Sequence, residues 1–437
     1  MNKNIPRSQE PNLDPVYLAS DAVKSLIQTL PAGTGYFIAI AVIVMMSGRL
    51  VECKGSLARA VLPLVANIKW GWHRVERAMA RGTFSLDNMF DRMLEWCIAN
   101  LPVEPVRLGT QQREIWPIDS STIARLRAGE RLGHAEKGYW QRAGRAVRAN
   151  VVAAATQVVF ICGVRVGLVR RIRFGTSCET SVAAVFEALP KISNRRLIVV
   201  DAGIATKEQF AAATDHDALL GRLRINTKLR TAPGARKGDV GRFPLHGEVL
   251  HPGSKKPEVN PDEDFEIDGE KGKIRIRRWN NLHYQEHAKV ILDVVRVDDP
   301  AYPKRPLLIA TQARELNTEE IRQGYKHRWP VETNFFVGQD TTAMEMPRAW
   351  TALAIERRIG LALLTGSLLK AIAAVCQPLA IGPWDRNPQR SAGRLAYHLG
   401  IHITNFLHFA LNGVNLRNYN KINQPSILNN LQEDLAA

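Results

Sequence analysis

Apolar residues run without a break from Tyr36 to Met46. A run apolar on every side, too short to span a bilayer and too far from Met1 for an ordinary signal peptide, predicts a buried helix. A second helix is predicted over Leu57–Ile68. Within the segment KWGWHRVERAMARG that follows it, Val75 and Met79 share one helical face, while Arg74, Arg77 and Arg81 share another. Two short helices, the second basic, suggest a helix-turn-helix-like unit reading DNA; a solvated basic face is the plainer alternative. Ser85 is placed to cap a helix ending near Asn100, and LPVEPV (101–106) reads as a linker because two prolines stop a helix. Near the other end, Ile359–Cys376 is apolar enough to be a core helix, and Pro378, Gly382 and Pro383 mark a break. One amphipathic helix is predicted near Leu395–Leu411, with Asn-rich loops after it.

From Glu114 the periodicity changes to that of strands. REIWPIDSSTI predicts a strand ending on Asp119, with Pro117 requiring an edge or a strand start. Val151–Cys162 and Val164–Phe174 read as two further strands, and Glu179–Leu189 as a helix. Leu197–Val200 is a continuous apolar run ending on Asp201, the pattern of a buried strand carrying a carboxylate at its tip, where α/β sheets place their chemistry. A helix over Lys207–Leu223 and a strand over Arg224–Leu229 complete this part. The pattern supports an α/β class.

Arg230 to about Pro306 breaks that rhythm. An acidic stretch containing Asp262, Glu263, Asp264, Glu266 and Asp268 reads as a solvated loop. In KGKIRIRRWNN, Lys273, Arg275, Arg277 and Trp279 fall on one strand face and Ile274 and Ile276 on the other. A cationic stripe leading to an indole suits a DNA strand with one base stacked on Trp279; a Trp packed in a small local core is the alternative. Val290–Val297 and Leu307–Thr311 read as strands, the second returning the chain to the main sheet.

Asn317–Gln339, NTEEIRQGYKHRWPVETNFFVGQ, predicts a capped helix, with Asn317 and Glu320 as the capping pair. Tyr325, Arg328 and Glu332 stand at i, i+3 and i+7 and so share a face. A phenol, a guanidinium and a carboxylate together suit a phosphate and a metal; an exposed Arg–Glu pair is the bland alternative. Asp119, Asp201 and Glu332 could supply hard oxygen ligands to Mg²⁺, with Mn²⁺ as a substitute. Two divalent ions about 4 Å apart would serve both oxygens of a phosphodiester displacement.

Tyr325-x2-Arg328-x3-Glu332, within YKHRWPVE, resembles the Tyr–Arg–Glu–Lys signature of DDE-class insertion-sequence transposases, the superfamily of insertion sequence four. Position 339 is Gln where that signature has Lys, which bears on one DNA-backbone contact rather than on the metal site. The likeness covers roughly Ile115–Leu364. It implies a ribonuclease-H-like mixed sheet flanked by helices, split at 111–229 and 307–376 by a β-rich insertion over 230–306. Helical regions would lie at 1–110, binding DNA, and at 377–437. Asp119, Asp201 and Glu332 would be the catalytic metal ligands, with Tyr325, Arg328 and Gln339 on DNA. Lys273, Arg275, Arg277 and Trp279 would contact DNA from the insertion, and Arg74, Arg77 and Arg81 from the amino-terminal region. The implied activity is cut-and-paste transposition by a homodimer on the inverted-repeat ends of its own element. Water cuts the end, and the freed 3′-hydroxyl joins target DNA.

Charge agrees with a polyanionic partner: 59 Lys and Arg against 42 Asp and Glu give +17. Five scattered cysteines without a CxxC pair predict reduced thiols and a cytoplasmic, nucleoid-associated protein outside any membrane. His283-x2-Glu286-His287 fits an inverted zinc-peptidase pattern, but follows a strand signal instead of lying on a helix. Phosphate loops of the Walker type are absent from the sequence. A transposase relic acting as a repressor, or another ribonuclease-H-like nuclease, remain the competing readings.

Overall fold

The structure is a computed structural model that describes residues 14–64, 71–125, 136–140, 144–191, 195–213, 216–234, 244–303, 306–349 and 351–412. The Asn-rich tail, the end of the helix expected to reach Ile68, and part of the basic stretch after Arg230 lie outside them.

Six helices come first: α1 (Pro15–Ile27), α2 (Ala32–Met46), α3 (Arg49–Glu52), α4 (Leu57–Val61), α5 (Gly71–Arg81) and α6 (Leu86–Asn100). The uninterrupted apolar run is the body of α2, and Ile38 to Met46 are all buried. Asp14 caps α1 through the Val16 amide, and Ser85 caps α6 as expected.

Two short strands follow, β1 (Val103–Pro105) and β2 (Arg107–Leu108), then β3 (Arg113–Ala124), β4 (Glu136–Trp140), β5 (Arg145–Ile161) and β6 (Val164–Gly175). The expected linker is therefore partly strand: β1 pairs with the end of β5, at a sheet edge where proline is tolerated. Next come α7 (Cys178–Ala188), β7 (Arg196–Val200), α8 (Lys207–Ala212) and β8 (Asp217–Arg222). The helix expected to reach Leu223 stops eleven residues short, because Asp217–Arg222 pairs in parallel with β7. A short apolar run such as Ala218-Leu219-Leu220 fits either a helix or a buried strand, and here the neighbouring strand decides. Of the strand expected at Arg224–Leu229, only Leu229 is in a strand, the two-residue β9 (Leu229–Arg230) that pairs with Val249 and Leu250.

The inserted segment adds β10 (Val249–Leu250), β11 (Glu263–Gly269), β12 (Gly272–Tyr284) and β13 (His287–Asp298), and β14 (Leu307–Thr311) closes it. The acidic stretch is a strand, not a loop. β11 lies antiparallel to β12, with Asp264 on Arg275 and Glu266 near Lys273. The chain ends in helices: α9 (Thr318–Lys326), α10 (Trp329–Asp340), α11 (Ala352–Val375), α12 (Ala392–Ile401) and α13 (Ile403–Leu411).

Fourteen strands among the described residues form one mixed sheet, whose main path runs β1-β5-β3-β7-β8-β14-β13-β12-β9-β10. β5 is antiparallel to both β6 and β3; β3, β7 and β8 are parallel; β14 returns antiparallel. The insertion thus extends the sheet through β13–β14. Pro117 lies inside a central strand, neither at an edge nor at the strand start as expected. The ladder from β3 to β5 begins one residue later, at Ile118–Ala155, so the missing N–H falls where that ladder has not started.

One face is covered by a core that joins α1–α6 to α10–α13 and to β5 and β6. Asp87 and Asp91 of α6 bind Arg173, Arg171 and Arg170 of β6, fastening the amino-terminal helices to the sheet. At the centre of this core runs α11. It is long and apolar enough to cross a membrane, yet 94% of its most apolar window is buried inside the protein.

Candidate active site

β3 and β7 carry the two aspartates to one place. The parallel pairing matches Glu114 with Arg196 and Pro117 with Val199, an offset of 82 residues. Asp119 and Asp201 are separated by the same 82 residues, so they leave neighbouring strands at one level. Asp119 is mid-strand, since β3 continues to Ala124 along β5. Asp201 follows the last residue of β7, in a turn whose Ile204 and Ala205 amides return to its carbonyl.

The helix that supplies the third carboxylate is two helices. The Asn317–Glu320 capping box opens α9 as expected. α9 ends at Lys326, and α10 begins at Trp329 with Pro330 in its first turn. The Pro330 ring cannot coexist with a helical carbonyl at residue 326 and brings no N–H, so the break falls at His327–Arg328. Tyr325, Arg328 and Glu332 nonetheless converge. The Tyr325 hydroxyl donates to Asp201 Oδ1 at 3.2 Å. Arg328 Nη1 lies 2.5 Å from Glu332 Oε1 and 3.6 Å from Asp119 Oδ2.

Asp119, Asp201 and Glu332 line an open cleft of about 680 Å³. Gln339 lies two turns along α10 from Glu332 and points its amide at Ser121 Oγ, 3.4 Å away. The cleft also contains residues that the sequence reading missed: Ser120, Ser121, Thr333, and two aromatic rings, Trp329 and Phe336, that are 57% and 62% exposed. Trp329 and Phe336 stand three residues before and four after Glu332, a spacing that puts both rings on its helical face and was the signal available in the sequence. No protein-family model matches this chain and no curated protein matches it.

Burial, followed by the charges of Glu332 and Asp201, pushes Asp119 from 3.8 up to about 6, against the Ser120 amide and Arg328, which pull it down. Burial and the Asp201 charge raise the Tyr325 phenol, keeping it a donor at neutral pH. Three carboxylates lining one cleft are hard oxygen donors of the kind that suit Mg²⁺ or Mn²⁺. Among the described residues no three His, Cys, Asp or Glu side chains are already disposed around one point. Arg328 stands between Asp119 and Glu332, and a cation would have to take over its contacts.

Asp119 also makes a stability prediction. Its folded pKa is raised, so its contribution is complete below the unfolded value and is lost as pH rises through about 6. Moving a carboxyl from 3.8 to about 6 corresponds to at most roughly 3 kcal/mol at pH 8. Without divalent metal, Asp119→Asn should therefore melt above the wild type at pH 8, with the gap closing at pH 4. Thermal melts in a chelator at both pH values test this; equal gaps would place Asp119 in ordinary solvent.

The remaining expected DNA contacts divide. On α5, Val75 and Met79 face inward, and Glu76 pairs with Arg358 of α11 at 2.5 Å. This anchoring leaves Arg77 and Arg81 exposed and Arg74 partly buried. Residues 65–70, which precede α5, lie outside the described residues. In the insertion the cationic stripe is neutralised: Arg275 is bound by Asp264, Lys273 lies near Glu266, and Arg277 is buried on Asp298. Trp279 is 1% exposed, and its Nε1–H donates to the Val259 carbonyl at 3.0 Å. The base-stacking expectation for Trp279 is therefore corrected to a core role. His283 and His287 lie on opposite strands of a hairpin, His283 against His246 and Glu286 against Lys207, so the peptidase-like pattern has no helix to act from.

Proposed function

We propose that the protein is a DDE-type DNA transposase. It would cut and join the inverted-repeat ends of its own insertion sequence, acting as a homodimer on double-stranded DNA. The observation that carries this reading is the meeting of Asp119, Asp201 and Glu332 in one cleft, with Tyr325 bonded to Asp201 and Arg328 beside Asp119 and Glu332. They come from two strands and a late helix separated by a β-rich insertion. Antiparallel strands first, then parallel ones, with aspartates on two adjacent members, support a ribonuclease-H-like sheet. The exposed Trp329 and Phe336 rings add stacking surfaces beside the carboxylates, which suits nucleic acid.

In this reading Asp119, Asp201 and Glu332 hold Mg²⁺ or Mn²⁺, which when bound activates the attacking oxygen and neutralises the leaving one. Arg328, released from its carboxylates, is positioned to hold a phosphate through its planar fork. Tyr325 keeps the Asp201 carboxylate oriented through its hydroxyl. Incubating the protein with duplexes carrying the terminal repeats that flank its reading frame tests the proposal. Metal-dependent cleavage at the repeat end is expected; no cleavage with either Mg²⁺ or Mn²⁺ would refute it.

The α5 face gives a separate prediction. If it reads the ends, replacing Arg74, Arg77 and Arg81 together with Ala should weaken binding. The salt slope should fall by roughly one for each phosphate no longer neutralised. A binding titration with an unchanged slope would leave these arginines as a solvated face.

A further inference from the structure

The two ends of α9 rest on different parts of the chain. At its carboxyl end the Tyr325 hydroxyl donates to Asp201, at the tip of β7. At its amino end the first residue, Thr318, is 5% exposed and is held by the insertion. The Thr318 hydroxyl donates to Glu263 of β11 at 2.7 Å and accepts from Arg278 of β12 at 3.4 Å. Arg278 is itself buried and fixed. Glu263 stands opposite it in the ladder, and Asp293 of β13 accepts from its Nη2 at 2.6 Å. A second tie starts from the same place. The register of β12 on β13 shifts between Trp279 and Leu282, and there Asn281 takes a left-handed conformation, φ 57°. The Asn281 side-chain oxygen accepts from Arg314, in the connector between β14 and α9, while its amide donates to Asp293. The insertion therefore grips the connector and the first turn of the helix together.

Between its ends α9 has little room to move. Ile321 is fully buried, and a Cβ on Gly324 would stand 3.0 Å from Leu220 of β8. A helix rises about 1.5 Å per residue, so Thr318 and Tyr325 lie roughly 10 Å apart along one stiff rod. A displacement at the first reaches the second. We infer that Thr318 and Asn281 are positioning residues, through which the insertion sets α9 and, along it, the Tyr325 hydroxyl on Asp201. That carboxylate serves phosphodiester cleavage under the transposase reading, on which this role rests.

The test uses the full chain with Thr318→Val, Thr318→Ser, Asn281→Gly and Tyr325→Phe. Valine keeps the shape of threonine and removes the hydroxyl; serine restores it. Glycine keeps the left-handed backbone at 281 and removes the tie to Arg314. Thr318→Val should slow turnover of repeat-end cleavage about tenfold, the size of one lost hydrogen bond, and leave duplex affinity unchanged. Thr318→Ser should recover the rate, and Asn281→Gly should slow it in the same manner. In Tyr325→Phe, adding Thr318→Val should cost nothing more, because the contact it serves is already gone. An equal loss in that background, or wild-type turnover in Thr318→Val, would overturn the inference. Amide hydrogen exchange reads the same coupling without activity. Thr318→Val should exchange faster across 318–326 and in the turn after Asp201, with α11 unchanged. If the wild type cuts no repeat end, the transposase reading is what has failed, and exchange decides the clamp by itself. Faster exchange at both places upholds it; exchange that stays slow at Tyr325 or in the Asp201 turn overturns it.

Discussion

Asp119→Asn, Asp201→Asn and Glu332→Gln should each abolish metal-dependent cleavage of the repeat ends while leaving end binding intact. The expected loss is roughly a thousandfold or more, because a metal site supplies several kcal/mol of charge stabilisation in the transition state. Binding should hold or tighten. Each substitution removes negative charge from a cleft that must accept a polyanion, and Asp119→Asn and Glu332→Gln also loosen the grip on Arg328. That combination separates a catalytic role from a folding role, since a misfolded variant loses both. Parallel gel-shift and cleavage assays read the two effects. Wild-type cleavage by any one variant would remove that residue from the site.

The carboxylates were legible in the sequence because each carries local context. Asp201 closes a continuous apolar run, Asp119 sits within a strand signal, and Glu332 lies in a string with Tyr325 and Arg328 at helical spacing. What spacing could not reveal is that the interval between the aspartates is also the pairing offset of β3 and β7; that became visible only in the register. The break before Trp329 was present in the letters as Pro330.

The fold was legible where periodicity was long and obscure where it was short. α2, α6, β5, β6 and β14 fall close to where their patterns predict them. The failures share a cause: a short segment takes its state from a partner strand. Asp217–Arg222 is a strand because β7 and β14 flank it. Glu263–Gly269 is a strand because β12 offers a basic edge opposite its carboxylates. An acidic run is solvated by default, and only the pairing register shows that its charges already have partners.

Trp279→Ala should lower the melting temperature substantially and slow every step of the reaction together. Alternation correctly placed Lys273, Arg275, Arg277 and Trp279 on one face of β12, but alternation gives a side of the sheet and not a depth. Along that face Lys273 and Arg275 are exposed, Arg277 is 9% exposed and Trp279 is 1% exposed. The strand therefore begins in solvent and ends in the core, among Leu282, Leu292 and Val294. Truncating a buried Trp costs about 3–5 kcal/mol through forfeited transfer energy and the cavity left behind. Trp279→Phe should cost less, since it refills much of that space, but it leaves the Val259 carbonyl without its indole donor, worth about 1 kcal/mol. A thermal melt of both variants beside a time course of nicked and fully cut DNA provides the measurement. Ala below Phe below wild type in stability, with all steps slowed in that order, is the expected result. An unshifted melt with a selective block after the first nick would return Trp279 to the DNA.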